Sequence, residues 1–393
     1  MSNKLFTEYP EQDERKYYDL LIEQAKNRMD DLFKDKEQAL RDTHAKTHAG
    51  VKGTLEIFDF DEEAIKRELN KRTSLTSSQL NAINLKQGLL TKPKQYPVWL
   101  RFANGRTEVK DDYVSDTRSM TVKVIGVEGE RLVQSHESKT QDIVVQNAEI
   151  FFIKSIRDYY GFFCTAAKSQ QAAKKWLLQH PQQFLALLKI TKPTPKSLLT
   201  ERYWSGSAFA LGLNPDFDAS QTGLVPVEYP AAVKYAFTPV SAEPPHDRIP
   251  FQSRPGIPQL PFGDRALALG LDSNQPDNYY RNELIQALAK LEAQYCWDFG
   301  IQFQTSPKLS IDDATIVWQE RESPFFTVGR LTVKHQSVNF EKQYDFCENL
   351  RFSPWNGLAV HRPIGALIPI HEKHDTNYEG VKRNRERWLG LPK

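Results

Sequence analysis

Five short stretches carry side chains able to exchange protons, hold anions or ligate metals. They are Arg41-Asp42-Thr43-His44-Ala45-Lys46-Thr47-His48, Leu100-Arg101-Phe102-Ala103-Asn104-Gly105 and Asp116-Thr117-Arg118-Ser119-Met120-Thr121-Val122-Lys123, then Asp142 through Asn147 to Phe151-Phe152, and Asn356 to Gly365 with His361-Arg362-Pro363. His44 and His48 stand four apart, a spacing that suits a metal ion on one helix face. Their stretch reads as a loop entering a strand, however, and no His-Glu-x-x-His pattern is present. Taken singly, each group has a structural explanation. A loop histidine caps or faces solvent, Arg118 and Lys123 decorate a strand, and Asn147 sits at a strand edge.

The elements that must position these groups follow from periodicity. Apolar residues at helical spacing over 15–36, with no Gly or Pro, predict an amphipathic helix. Residues 41–60 start polar and end in apolar alternation, a loop running into a strand. Residues 61–69 and 77–88 read as short helical pieces or loop. Period-two runs of β-branched and aromatic residues predict strands at 97–103 and 119–126, with another beginning at 142. Residues 169–190 read as helix with Pro181 at a boundary. Strands follow at 204–212, 232–240, 297–304, 314–319 and 326–335. Residues 191–197 are a linker, and six prolines within 241–261 demand an extended, wrapping segment. Residues 381–391 are basic and helical. Strands early and late, separated by helices and long loops, lack the regular alternation of a parallel sheet. The expected fold is α+β: a closed antiparallel β-barrel with flanking helices and long wrapping loops.

Composition narrows the function. The 393 residues are 39% hydrophobic and 26% charged with a net charge of +2, which gives no electrostatic case for nucleic acid. Three cysteines, none in a Cys-x-x-Cys pair, predict a reducing compartment. The N-terminal residues lack the apolar run of a signal peptide and no transmembrane segment is expected, so the expected location is cytoplasmic. Twenty-two Phe, 15 Tyr and 7 Trp suit a wide core or a flat apolar ligand pocket.

In this order, the five stretches resemble the catalase superfamily, in particular its smaller catalase-related heme proteins, a group that includes catalase-like peroxidases and coral-type allene oxide synthases. The matching residues are Arg41-x-x-His44-Ala45-Lys46, Arg101-Phe102, Asp116-x-Arg118-x-x-x-Val122-Lys123, Asp142 with Asn147-x-x-x-Phe151-Phe152, and Pro354-Trp355-x-Gly357-Leu358 with His361-Arg362-Pro363-x-Gly365. The resemblance implies heme b and a small-molecule hydroperoxide as substrate. It makes His44 the distal histidine that takes and returns the peroxide proton. Asn147, or Gln146 under a different gap, would orient the peroxide. Arg41 and Arg101 would pair with the heme propionates, and Phe151 and Tyr159 would pack on the porphyrin. Thr43, as in the allene-oxide-synthase-like members, implies poor catalase activity and a preference for organic or fatty-acid hydroperoxides.

The chain departs from the family at the proximal ligand, where relatives carry Arg-x-x-x-Tyr. Direct alignment puts Asp375 on the tyrosine position. Three extra residues bring in Tyr378, with His374 in place of the arginine. Tyr378 is the expected iron ligand; His371 or His374 as ligand, or loss of heme, stay open. The expected organisation is one catalase-like unit over 1–393: a helical arm (1–40), a barrel with helical insertions (41–340) and a C-terminal segment (341–393) with the proximal helix. A homo-oligomer stays open. The competing functions are a heme-free barrel that binds a lipid or a partner, and a heme store or sensor without turnover.

Overall fold

The computed structural model describes residues 4–33, 40–41, 43–132, 137–191, 195–213, 225–240, 278–338 and 341–365. The elements run β1 (Thr7–Glu8), α1 (Glu14–Phe33), β2 (Thr47–Ile57), α2 (Glu62–Arg72), α3 (Ser77–Ala82), β3 (Lys94–Asn104), β4 (Arg118–Ile125) and β5 (Thr140–Gln146). Then come α4 (Ile156–Ala166), α5 (Gln170–Gln179), α6 (Pro181–Ile190), β6 (Tyr203–Trp204), β7 (Ala208–Ala210), β8 (Val227–Glu228) and β9 (Ala232–Pro239). The last described elements are α7 (Tyr279–Leu288), β10 (Gln294–Phe303), β11 (Phe325–Lys334), α8 (Glu341–Glu348) and β12 (Pro363–Ile364).

Eight strands close into an antiparallel barrel in the order β2-β3-β4-β5-β6-β9-β10-β11, with β11 returning to β2. Alternation dictates this wall. Leu100 on β3 lies opposite Val51 on β2 and Val122 on β4, and Val122 lies opposite Ile143 on β5. With Tyr203, Phe237, Phe299 and Leu331 these side chains form one apolar cluster. The alternate positions are polar: Arg101, Lys123 and Asp142 stand on the other face and are buried by what packs there. Gly53 and Gly329 mark places where backbone approaches closely. A Cβ at Gly53 would meet the Thr332 carbonyl at 2.8 Å.

The helices flank the barrel and are locally specified. Asp61 caps α2, which carries Glu62 and Glu63 in its first turn and Lys71 and Arg72 in its last. Thr76 and Gln79 form a capping box on α3. Ser155 and Ser169 cap α4 and α5, and Pro181 opens α6 at the position where its missing N–H costs nothing. α1 packs on α4, where the Tyr17 and Tyr160 rings lie 5.9 Å apart.

The fold has the expected class, with two local corrections. Residues 314–319 form turns rather than a strand, because the Asp313 carboxylate accepts from the Thr315 amide (3.0 Å) and hydroxyl (2.6 Å) and bends the backbone. The strand expected at 204–212 is two short pieces, β6 and β7, broken at Ser205-Gly206-Ser207. The segments 241–261 and 381–391 lie outside the described residues.

Candidate active site

The approach to β2 sets the geometry. His44 has φ +55°, a left-handed backbone that a residue with a Cβ adopts only under constraint. The constraint is visible: its amide donates to the Gly105 carbonyl (3.4 Å), and its carbonyl accepts from Nη2 of Arg101 (2.7 Å). A bulge then inserts His48 between the pairs Thr47 with Ala103 and Ala49 with Phe102. The two histidines thus enter different surroundings, and among the described residues no group of three or more His, Cys, Asp or Glu is arranged to hold a metal ion.

His44 is half-buried, but its Nδ1 is enclosed and has no hydrogen-bond partner among the described residues. Burial, then the Arg101 guanidinium, with Arg41 a weaker contribution, push its pKa down to about 4; a backbone contact at Asn104 opposes them. The imidazole is therefore neutral at physiological pH. Thr43 precedes it and is half-buried.

The two arginines expected to bind propionates are together here, on the end of α8. Arg41 donates through Nη2 to the carbonyls of Cys347 (3.4 Å), Glu348 (3.0 Å) and Leu350 (2.6 Å), and lies over the Phe352 ring. Arg101 donates through Nε to Glu348 (3.2 Å) and through Nη2 to the Thr47 hydroxyl, which itself donates to Glu348. Burial works to raise the Glu348 pKa; Arg101, then Arg41 and the Thr47 hydroxyl outweigh it and hold the carboxyl below its ordinary range. Arg101 thus pairs with the Glu348 carboxylate directly, while Arg41 holds the carbonyls at the same helix end and acts on that carboxylate through its field.

Asn147 has its amide engaged by neighbouring groups. Its Oδ1 accepts from the Arg118 amide (2.7 Å) and its Nδ2 donates to Glu201 (3.1 Å). Gln146 donates to the Ile150 carbonyl (2.8 Å). Phe151 and Tyr159 do come together, ring centroids 5.9 Å apart, in a half-buried aromatic cluster with Phe152, Phe162 and Phe163. His371, His374, Asp375 and Tyr378 lie outside the described residues.

Sequence reasoning missed Glu348 and a buried relay behind β2. His48 Nε2 contacts Asn104 Oδ1 (2.8 Å), Asn104 donates to Asp112 (2.9 Å), and Lys46 pairs with Asp112 (2.7 Å). Asp112 also accepts from the Tyr280 amide (3.1 Å). No sequence signal marks these partners except that Lys46 and His48 sit beside a strand whose core they must enter paired.

Two solved structures are similar to this fold. A fungal catalase superposes with a TM-score of 0.56 at 18% identity, over 90% of this chain and 61% of its own. A bacterial catalase gives 0.56 at 18% identity, over 93% and 60%. No family model and no curated protein matches the sequence. The closed eight-stranded barrel with its flanking helices is therefore the catalase fold. The chain spans about three fifths of the length of the catalases it matches.

Proposed function

We propose that this catalase-fold chain is a heme-dependent enzyme for hydroperoxides, organic or fatty-acid ones ahead of hydrogen peroxide. The observation that carries the proposal is His44: a half-buried, neutral imidazole whose enclosed Nδ1 has no partner among the described residues, held in a left-handed conformation beside Arg101. The residue types present suit a dianionic porphyrin. Arg41 and Arg101 supply the guanidinium groups that suit propionates, and Phe151 and Tyr159 supply aromatic rings that suit a flat porphyrin. Tyr378, supported by His374, is the proposed iron ligand.

When bound, heme supplies the redox chemistry that splits a peroxide O–O bond. The protein's part is proton management. His44, neutral at pH 7, accepts the hydroperoxide proton and returns it to the departing oxygen. To Thr43, which precedes His44 in sequence, we attribute the preference for organic hydroperoxides. Asn147, or Gln146, serves as peroxide amide only if it exchanges its present partners. We place the work in a reducing, cytoplasmic setting, consistent with three free cysteines, and treat residues 1–393 as one unit capable of self-association. Among the described residues, no helix is long and apolar enough to cross a membrane.

One observation favours a second reading, a heme-free barrel that carries a lipid: both arginines already have partners on α8. The absorption spectrum of heme-reconstituted protein separates the two. A Soret band that shifts with a fatty-acid hydroperoxide more than with hydrogen peroxide supports the enzyme. A protein that stays colourless after reconstitution, with no iron by elemental analysis, overturns it. A Tyr378→Phe spectrum identical to wild type removes the ligand assignment alone.

A further inference from the structure

Residues 159–200 contain no Asp or Glu, while Lys occurs at 168, 174, 175, 189, 192 and 196. With 50 acidic residues in 393, a stretch of this length would hold about five. The same stretch builds α5 and α6, which follow one another across His180. Their buried sides are ordinary: Leu177, Ala186 and Ile190 face inward. Their outward sides are not. Leu178 is 71% exposed, Leu185 65% and Leu188 41%. Single exposed leucines need no explanation, but three within eleven residues, on helices without acidic side chains, do.

On α5, Lys174 and Leu178 are one turn apart on the exposed face; on α6, Leu185 and Lys189 are. Each helix therefore shows solvent an apolar side chain next to an ammonium group. Lys189 is shared with Glu149 (3.1 Å), whereas Lys174 and Lys175 are exposed.

We infer that the outward faces of α5 and α6 dock this protein on an anionic lipid surface. The exposed leucines enter the acyl boundary while lysines meet headgroup phosphates, the division of labour that holds amphipathic helices at an interface. The charge argument favours this partner over a second copy of the chain: neither helix carries an acid, the neighbouring Glu149 is engaged by Lys189, and the exposed Lys174 and Lys175 of two copies would repel. The docked face also adjoins the half-buried aromatic cluster. Trp176 on α5 contacts Phe162 (5.4 Å), Phe162 contacts Phe152 (5.2 Å), and Phe152 contacts Phe151 (5.1 Å). An apolar substrate leaving the lipid would meet aromatic surface as far as Phe151. The docking itself does not depend on heme.

The test is sedimentation of the full chain with phosphatidylcholine vesicles, with and without roughly a third phosphatidylglycerol. Binding to the anionic vesicles only, weakened by salt, is expected. Leu185→Glu with Leu188→Glu, and separately Lys174→Glu with Lys175→Glu, should each lower the bound fraction about tenfold or more with an unchanged melting temperature. These positions are exposed, so both variants fold. The proposal is overturned if wild type ignores anionic vesicles, or if both variants bind as wild type does. It is equally overturned if the leucine variant turns a dimer into a monomer while vesicle binding is absent, which assigns the face to a second copy.

Discussion

Arg101 donates through Nε to Oε1 of Glu348 at 3.2 Å, joining β3 to the end of α8 across 247 residues of sequence. Both side chains are buried. A pair of this kind is dangerous to break rather than valuable to have, because each charge left alone is desolvated without compensation. Glu348→Ala should therefore destabilise the protein by about 3–5 kcal/mol in urea unfolding. The double change Arg101→Met with Glu348→Leu should recover much of that loss. A single variant with wild-type stability would show that the pair is not formed.

The same carboxylate has an acid signature. Its folded pKa is depressed, so its contribution is present above the ordinary carboxylate range and is lost as pH falls through the folded value. Glu348→Gln should thus lose least relative to wild type in the most acidic buffers where the protein still folds, as read from melting curves.

His44, His48 and His361 are all pushed down to about 4, burial being the largest cause in each. Each contributes stability above its unfolded value near 6.5 that is lost as pH falls through 4. For the two fully buried rings this amounts to ~3 kcal/mol apiece by that conversion. Side-chain NMR at pH 5 should find all three neutral. His361 should carry its proton on Nδ1, since its Nε2 accepts from the Leu89 amide (3.0 Å). A charged ring at pH 5 would contradict the burial.

Asp312 and Glu14 behave oppositely. Burial raises Asp312 to about 8 and Glu14 to about 7, with Glu8 and Glu11 adding to both. Raised carboxyls favour the fold below their unfolded values and lose that contribution as pH climbs through 7 to 8. Asp312→Asn should melt above wild type at pH 8, with the difference shrinking toward pH 5. The mutated side chain can still accept from the Tyr9 amide (3.1 Å).

Two glycines should respond with opposite signs. Gly88 has φ +55°, and a Cβ there would run into the His361 ring. Gly88→Ala should cost more than ~1 kcal/mol. Gly161 lies inside α4, where an added Cβ meets only Trp176 Nε1, at an ordinary 3.4 Å. Gly161→Ala should add about 0.5–1 kcal/mol from helix propensity. Denaturant midpoints of the two variants decide it.

The barrel was legible because its strands alternate: β3, β4, β10 and β11 lie where period two puts them. The Asp313 turn was not, since Trp and Val suggested a strand that one side-chain hydrogen bond overrides. Helix α4 escaped notice because Tyr159, Tyr160, Phe162 and Phe163 place apolar residues on several faces, which erases a clean helical stripe. Arg101 does reach the His44 carbonyl and meets Arg41 at the end of α8. Their partner Glu348 was invisible because a pairing 247 residues apart leaves no local trace. Asn147 looked like a free amide in sequence, yet its neighbours Arg118 and Glu201 occupy both ends of it.

The barrel's last rung, Gly329 beside Ile57, joins strands from opposite ends of the chain. During synthesis β2 through β5 emerge long before β10 and β11 exist, so a half-built wall waits with raw margins on the ribosome. Such a nascent sheet invites pairing with its neighbours on a polysome, and folding must be slow on contact-order grounds. Yield of native protein should accordingly depend on holdase chaperones more than on the stability of the finished molecule.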